Sequence, residues 1–350
     1  MEIRFYTPEL NMIGVMEDHT SLLWTRKFHE SGSFQLTAPI TEYNVKLCQI
    51  GNVISIEGAN EAAVIECVTI RQNNLVRVVI CVGRMLSSYM DRRLIRPRFN
   101  FNGTVEDAMR TILSNAYPLP LVRLGVRHGF PETIEFQATY KNLLTYMTKL
   151  SKGSNIGFRF TPDFTEKTLT FDTYKGVDHS VHQSERVRVV FSEEFQNIGN
   201  TKYVADERNY KNVAYAGGRG EGDNRVYVQV GDNTISGLER RETFLNATDI
   251  EQTEGMSGTS YTNALKTRAE QRLSEHGMII NFECTSDPNG NFKYRQDFDL
   301  GDIITVEKES WNLSYDLMVT EVQEVYEHGL AQITPILGTT LPEVIDWEDR

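Results

Sequence analysis

Few groupings in this chain have the make-up of a reactive or metal-holding site. Asp178-His179-Ser180-Val181-His182 sets two imidazoles beside a carboxylate, a donor set that zinc accepts. Helical zinc sites space their histidines at i and i+4, whereas this HxxH follows Gly176 and reads as a surface loop. His29-Glu30 opens like HExxH but continues Ser31-Gly32-Ser33, so the motif fails. Glu193-Glu194 supplies the two carboxylates of a glycosidase, yet neighbours on a strand point to opposite faces and do not converge. Asp297-Phe298-Asp299-Leu300-Gly301-Asp302 offers oxygen ligands for calcium but lacks the Gly at the sixth position and the Glu at the twelfth. It reads as an acidic entry to a strand.

Two glycine-rich stretches complete the search. Gly217-Gly218-Arg219-Gly220-Glu221-Gly222-Asp223 has the glycine density of a phosphate cradle. A P-loop ends in Lys-Ser/Thr and feeds a helix N-terminus. This run carries its own carboxylates and leads into the strand pattern Arg225–Val230, so it reads as a long flexible hairpin tip. Gly255-Met256-Ser257-Gly258 has the wrong spacing for a nucleophile elbow and lies in a Gly/Ser/Thr-rich linker. No catalytic, cofactor or metal residue is assigned, and the chain reads as a non-enzyme.

The 350 residues carry a net charge of −12, which argues against a dedicated nucleic-acid binder with a clustered basic surface. The four cysteines, at 48, 67, 81 and 284, form no CxxC and read as reduced thiols rather than as a disulfide or zinc framework. No apolar run approaches the roughly 18 residues of a membrane span, and Met1–Phe5 lacks the start of a secretory signal.

The elements that must position any site fall into three blocks. Residues 1–92 are short β-branched and aromatic runs separated by turn formers every 8–12 residues or so, the texture of a small antiparallel barrel or sandwich. Strands from 186–245 are available to complete it. Residues 93–185 change texture to an α+β insertion. Thr104 caps a helix there, with Val105, Ala108, Met109, Ile112, Leu113 and Ala116 as its stripe, ended by Pro118. A second helix runs from about Tyr140 to near Gly153, followed by strands at 158–160 and 169–171. Residues 186–340 return to strands, beginning with 187–191, and include a helix at about 260–276 that ends at Gly277. Residues 341–350 form an acidic, loose tail. The fold class is mainly β with an α+β insertion and a helical excursion.

Ordered short motifs carry a resemblance. Ile3-Arg4-Phe5-Tyr6, Met12-Ile13-Gly14-Val15, Ser21–Arg26 and Gly32–Pro39 open it; Gly83-Arg84 and Asp91-Arg92-Arg93 follow. Gly176-Val177-Asp178, Tyr210–Tyr215, Gly237–Glu242 and Asp299–Ile303 continue it to about residue 340. In these residues the chain is similar to the Gp37-like siphophage tail proteins.

The resemblance implies a tail-tip or baseplate hub protein of a phage or phage-derived particle, assembled in the host cytoplasm and carried in the virion. It implies two related small β-barrels per subunit, and a homotrimer whose six barrels continue the tail tube. Its implied partners are a distal tail ring protein, a tape measure protein and, as a further option, receptor-binding or fibre proteins. No cofactor and no membrane insertion are implied. Gly217, Gly218, Gly220, Gly222, Gly255 and Gly258 are then the candidate segments that order on assembly or move on opening. An anionic lumen would let DNA pass without sticking. The alternatives are a receptor- or carbohydrate-binding tail protein and, behind it, a cell-wall hydrolase.

Overall fold

The computed structural model describes residues 1–73, 77–96, 99–116, 118–252, 257–286, 291–327 and 329–339. The 341–350 tail lies outside them. The architecture is mainly β with an α+β insertion, as the sequence pattern implies.

The first strands are β1 (Ile3–Tyr6), β2 (Met12–Met16), β3 (Ser21–Lys27) and β4 (Ser33–Pro39). A short helix α1 (Glu42–Leu47) precedes β5 (Val53–Ile56), β6 (Ala63–Gln72) and β7 (Arg77–Met85). Alternation sorts their faces: in β4, Phe34, Leu36 and Ala38 are buried while Gln35 is exposed.

A 3₁₀ turn, Leu86–Arg92, leads into the insertion, which begins with β8 (Leu94–Ile95), β9 (Phe99–Thr104) and α2 (Val105–Asn115). It continues through β10 (Val122–Leu124), β11 (Thr133–Ala138), β12 (Lys141–Asn142), α3 (Leu143–Ser154), β13 (Gly157–Asp163) and β14 (Thr168–Tyr174). Thr104 caps α2 by accepting the Asp107 amide at 3.2 Å, and its hydroxyl donates to the Asp107 carboxylate at 2.7 Å. α3 ends at Ser154, next to the expected Gly153, and Asn155 with its left-handed φ of 53° turns the chain out.

β15 (Val190–Ser192) and β16 (Ile198–Asp206) return to the main sheet. The expected strand at 187–191 shrinks to its end: Val187 is exposed, and the Val189 amide donates to the His179 carbonyl instead of a ladder. An excursion follows, made of β17 (Val213–Gly217), β18 (Tyr227–Gly231), β19 (Glu242–Asn246) and α4 (Gly258–Ser274). Its helix buries Tyr261, Ala264, Leu265 and Ala269 against the inner face of that three-stranded sheet. The chain closes with β20 (Ile279–Ser286), β21 (Ile303–Lys308), β22 (Leu313–Glu327) and β23 (Leu330–Gly338).

One long sheet joins the two ends of the chain in the order β16-β20-β23-β22-β3-β4-β7-β6-β5-β1-β2, with β21 on β22 and β15 on β21. The hinge of this order is β22. Its first half pairs with β21, and its second half, Glu321–Glu327, lies between β3 and β23. The outer partner of β3 thus comes from 321–327; the strands of 186–245 pair with β20, with β21 or among themselves. Among the described residues, no helix is long and apolar enough to cross a membrane.

Candidate assembly site

Strand β3 alternates Leu22, Trp24 and Arg26 inward, and the arginine is the surprise. Its side chain is 1% exposed. Nε donates to Glu61 Oε1 at 2.8 Å, and Nη1 donates to Asp299 Oδ1 at 2.8 Å and to Tyr294 Oη at 2.5 Å. Burial disfavours the charge, but Glu61, Tyr294 and Asp299 outweigh it and hold the guanidinium pKa above its ordinary value. Two residues on, Phe28 meets Tyr174 edge to face with ring centroids 5.1 Å apart.

The backbones close in around Phe28. A Cβ on Gly176 would sit 1.8 Å from the Gly301 carbonyl carbon, and one on Gly301 would sit 2.3 Å from the Phe28 ring. Asp302 pins the same crossing by accepting the amides of Val177 at 2.7 Å and Asp299 at 2.8 Å. The acidic stretch 297–302 is thus the entry to β21, and it also anchors Arg26. The insertion has its own anchor in Glu106, a fully buried carboxylate that accepts the amides of His128, Gly129 and Phe130 and the Thr173 hydroxyl.

The sequence-selected glycines fall into separate settings. Gly217 ends β17, and a Cβ there would lie 2.6 Å from Arg225 Nη2. Gly218 abuts α4: a Cβ would lie 2.2 Å from Tyr261 Oη, which also accepts the Arg219 amide at 3.0 Å. Gly220 and Gly222 are exposed at the tip, with φ of +116° and +53°. Gly258 begins α4, capped by Ser257, and Gly255 lies outside the described residues. The structure therefore brings Gly217 and Gly218 together with α4 and leaves Gly220 and Gly222 apart. The hairpin is observed, and it leads into a strand rather than a helix.

Beside that hairpin the outer face of β17–β19 is not covered by any of the described residues. Tyr227 is 56% and Phe244 53% exposed, with ring centroids 6.5 Å apart. The Arg225 guanidinium lies 5.3 Å from one ring centroid and 5.8 Å from the other. It is fixed by bonds to the carbonyls of Gly218 and Gly217 at 2.9 and 3.0 Å. On the central strand Tyr215 is opposite Gln229 and Phe244, and Gly217 is opposite Tyr227. Sequence reading missed this face; its trace was the alternation in Tyr227-Val228-Gln229-Val230 and Thr243-Phe244-Leu245, where the aromatic parity opposes the buried one.

The two ends of the long sheet differ. At β2, the Tyr43 hydroxyl accepts the Val15 amide at 3.2 Å and donates to the Val15 carbonyl at 3.1 Å, occupying the outward edge. Gly14 makes room, since a Cβ there would lie 2.5 Å from Tyr43 Oη. β16, at the opposite end, pairs only with β20 among the described strands.

The reactive-looking motifs disperse. His179 Nε2 lies 3.9 Å from Asp302, and His182 Nε2 lies 3.5 Å from Asp316. His29 is buried with Nδ1 2.8 Å from Ser151 Oγ; burial, and then Lys152, lower its pKa to about 4. Glu193 binds Lys308 and the Ser310 hydroxyl, while Glu194 is exposed. Among the described residues, no three His, Cys, Asp or Glu side chains gather as a metal site.

Residues 2–339 match the model of the family described as Siphovirus ReqiPepy6 Gp37-like protein. The chain belongs to that family. The Gp37-like chain also shares its fold with solved structures. A tail protein from Neisseria meningitidis MC58 is 15% identical, with a TM-score of 0.62 over 97% of this chain and 96% of that one. The 43 kDa tail protein of prophage MuSo2 from Shewanella oneidensis is 14% identical, with a TM-score of 0.60 over 96% and 98%. Prophage tail protein gp18 from Listeria monocytogenes EGD-e is 11% identical, with a TM-score of 0.57 over 96% and 94%. No curated protein matches the chain.

Proposed function

We propose that the Gp37-like chain is a structural tail protein of a phage or phage-derived particle and acts as a tail-tip or baseplate hub. In this reading three copies close a ring that continues the tail tube, gates the DNA channel and anchors peripheral tail-tip proteins. Regions 1–92 and 186–340 each contribute a barrel, with 93–185 outside them. The single observation that carries the reading is the family match over residues 2–339. The likeness to three phage or bacterial tail proteins over at least 94% of their lengths adds support.

A three-fold ring closes through heterologous contacts, so each copy needs two different surfaces. The β16 edge and the aromatic face of β17–β19 are the two offered here, whereas β2 is blocked by Tyr43. Three copies at −12 each give a strongly anionic ring, suited to DNA that must slide past. The reading is tested by the solution mass of the purified chain, alone and with its tail neighbours, together with an electron-microscopy view. A trimer with a central hole is expected; a strict monomer in both conditions overturns it.

The exposed Tyr227–Phe244 pair favours a second reading, a receptor- or carbohydrate-binding tail protein. Host-cell binding by the isolated chain that Tyr227→Ala abolishes, with no ring formed, would select it over the hub.

A further inference from the structure

The outer face of β17–β19 carries a cation with donors to spare. Arg225 spends Nε and Nη2 on the Gly218 and Gly217 carbonyls and on Asn246, while Nη1 keeps its N–H groups without a partner among the described residues. None of these bonds goes to a carboxylate. The Tyr227 and Phe244 rings, each about half exposed, flank the charge. An arginine held in place beside two exposed rings has the composition of an interface hot spot.

The turn between β15 and β16 presents the complement. Glu193 binds Lys308 and the Ser310 hydroxyl, whereas Glu194 is exposed and bonds to none of the described residues. Phe195, the next residue, is 48% exposed. The turn is rigidly built: the buried Asn197 side chain accepts the Ser192 amide at 2.9 Å and donates to the Val190 carbonyl at 2.8 Å. The Phe195 amide donates to Ser192 Oγ at 3.1 Å, and Gln196 completes the turn with φ +51°. An acid and a ring are therefore shown at fixed positions, with little freedom to lose on binding.

Within one chain the two features stay apart, because the 9 residues of β16 lie between turn and sheet and span roughly 25 Å. We infer that the Glu193–Gln196 turn of a second copy seats on the outer face of β17–β19, with Glu194 on Arg225 Nη1 and Phe195 over the Tyr227 and Phe244 rings. The inference rests on the hub reading and names a contact that closes its ring. Charge sets the direction: the turn of each copy meets the face of the next, whereas two acidic turns repel, so the contact is heterologous.

The test is sedimentation of the full chain and its variants, alone and with the tail neighbours. Glu194→Arg and Arg225→Glu should each weaken self-association roughly thirtyfold, and the chain carrying both should recover most of the loss. Phe195→Ala should weaken it about tenfold while leaving Arg225 and its carbonyl bonds untouched, so a folding defect of the Arg225 variant cannot imitate the result. Native assembly that Glu194→Arg and Phe195→Ala leave unchanged overturns the inference and leaves the hub reading standing. Losses in both single charge variants without recovery in the combined chain also overturn it, since the two residues then meet different partners. A native chain that stays monomeric in both conditions overturns the hub reading and this contact together.

Discussion

The junction at Arg26 and the outer face of β17–β19 use the same residue types to opposite ends. At the junction the buried Arg26 meets the buried carboxylate of Glu61, the half-buried Tyr294 and the carboxylate of Asp299, which is 37% exposed, with Tyr174 beside them. On the sheet face Arg225, Tyr215, Tyr227 and Phe244 lie side by side at the surface. Burying a charge demands partners from every side, so the junction fixes β3, the loop before β6 and the approach to β21 in one geometry. Arg225 is half-buried and held from one side by the Gly217 and Gly218 carbonyls, and its guanidinium lies beside the exposed Tyr227 and Phe244 rings. The first arrangement positions, and the second presents.

The widest gap between the two regions should appear on removing their arginines. Arg26→Leu strands Glu61, whose side chain is 7% exposed, and should cost about 3–5 kcal/mol in urea unfolding. Arg225→Leu gives up the two ring contacts and the bonds to the Gly217 and Gly218 carbonyls and should cost about 1–2 kcal/mol. Equal losses would dissolve the contrast.

Protonation probes the flank of the junction. The folded pKa of His29, at about 4, lies below the unfolded value near 6.5, so the unfolded state binds the proton more readily. Stability from this residue is present above pH 6.5 and is lost as the pH falls towards 4, by about 3 kcal/mol. Unfolding curves of native protein and His29→Asn across that window check it: the variant should lack this part of the slope. An unchanged slope would mean that His29 is not neutral in the fold.

How far these regions were legible follows from the range of the forces that make them. α2 was readable from Thr104 to Ala116 because its cap and stripe are contacts within four residues. α1 was missed: six residues with Thr41 as cap give too short a pattern. The pairing of β3 with 321–327 was invisible because nothing local encodes a partner almost 300 residues away. Arg26 did leave a signal, since it has the inward parity of Leu22 and Trp24. Glu106 left none beyond being a first-turn acid, because its amide partners come from a loop more than twenty residues on.

Glycine replacements sharpen the same comparison at smaller amplitude. Gly176→Ala forces a Cβ against the Gly301 backbone and should cost about 1–3 kcal/mol. Gly222→Ala meets no atom within 4 Å but must hold φ +53°, which should cost about 1 kcal/mol. Gly258→Ala, at the start of α4 and also unobstructed, should be neutral or slightly stabilising. Thermal melts of the three in parallel give the ranking, and a Gly176→Ala melt matching Gly258→Ala would show that the crossing at Phe28 yields freely.

A small expected change in stability carries the largest functional consequence. Tyr227→Ala with Phe244→Ala removes two half-exposed rings whose contacts are with each other and with Arg225, so the monomer should unfold within about 1 kcal/mol of the native chain. If the face presents aromatic anchors to a neighbouring copy, the same pair should behave as a centre of binding energy, and its loss should weaken self-association at least thirtyfold, about 2 kcal/mol. Sedimentation of the double variant beside Arg26→Leu separates the two roles. The junction variant should lose stability first and assembly only as a consequence. The face variant should lose assembly while its melting curve stays in place; a face variant that still assembles with native affinity would remove this sheet from the ring contacts.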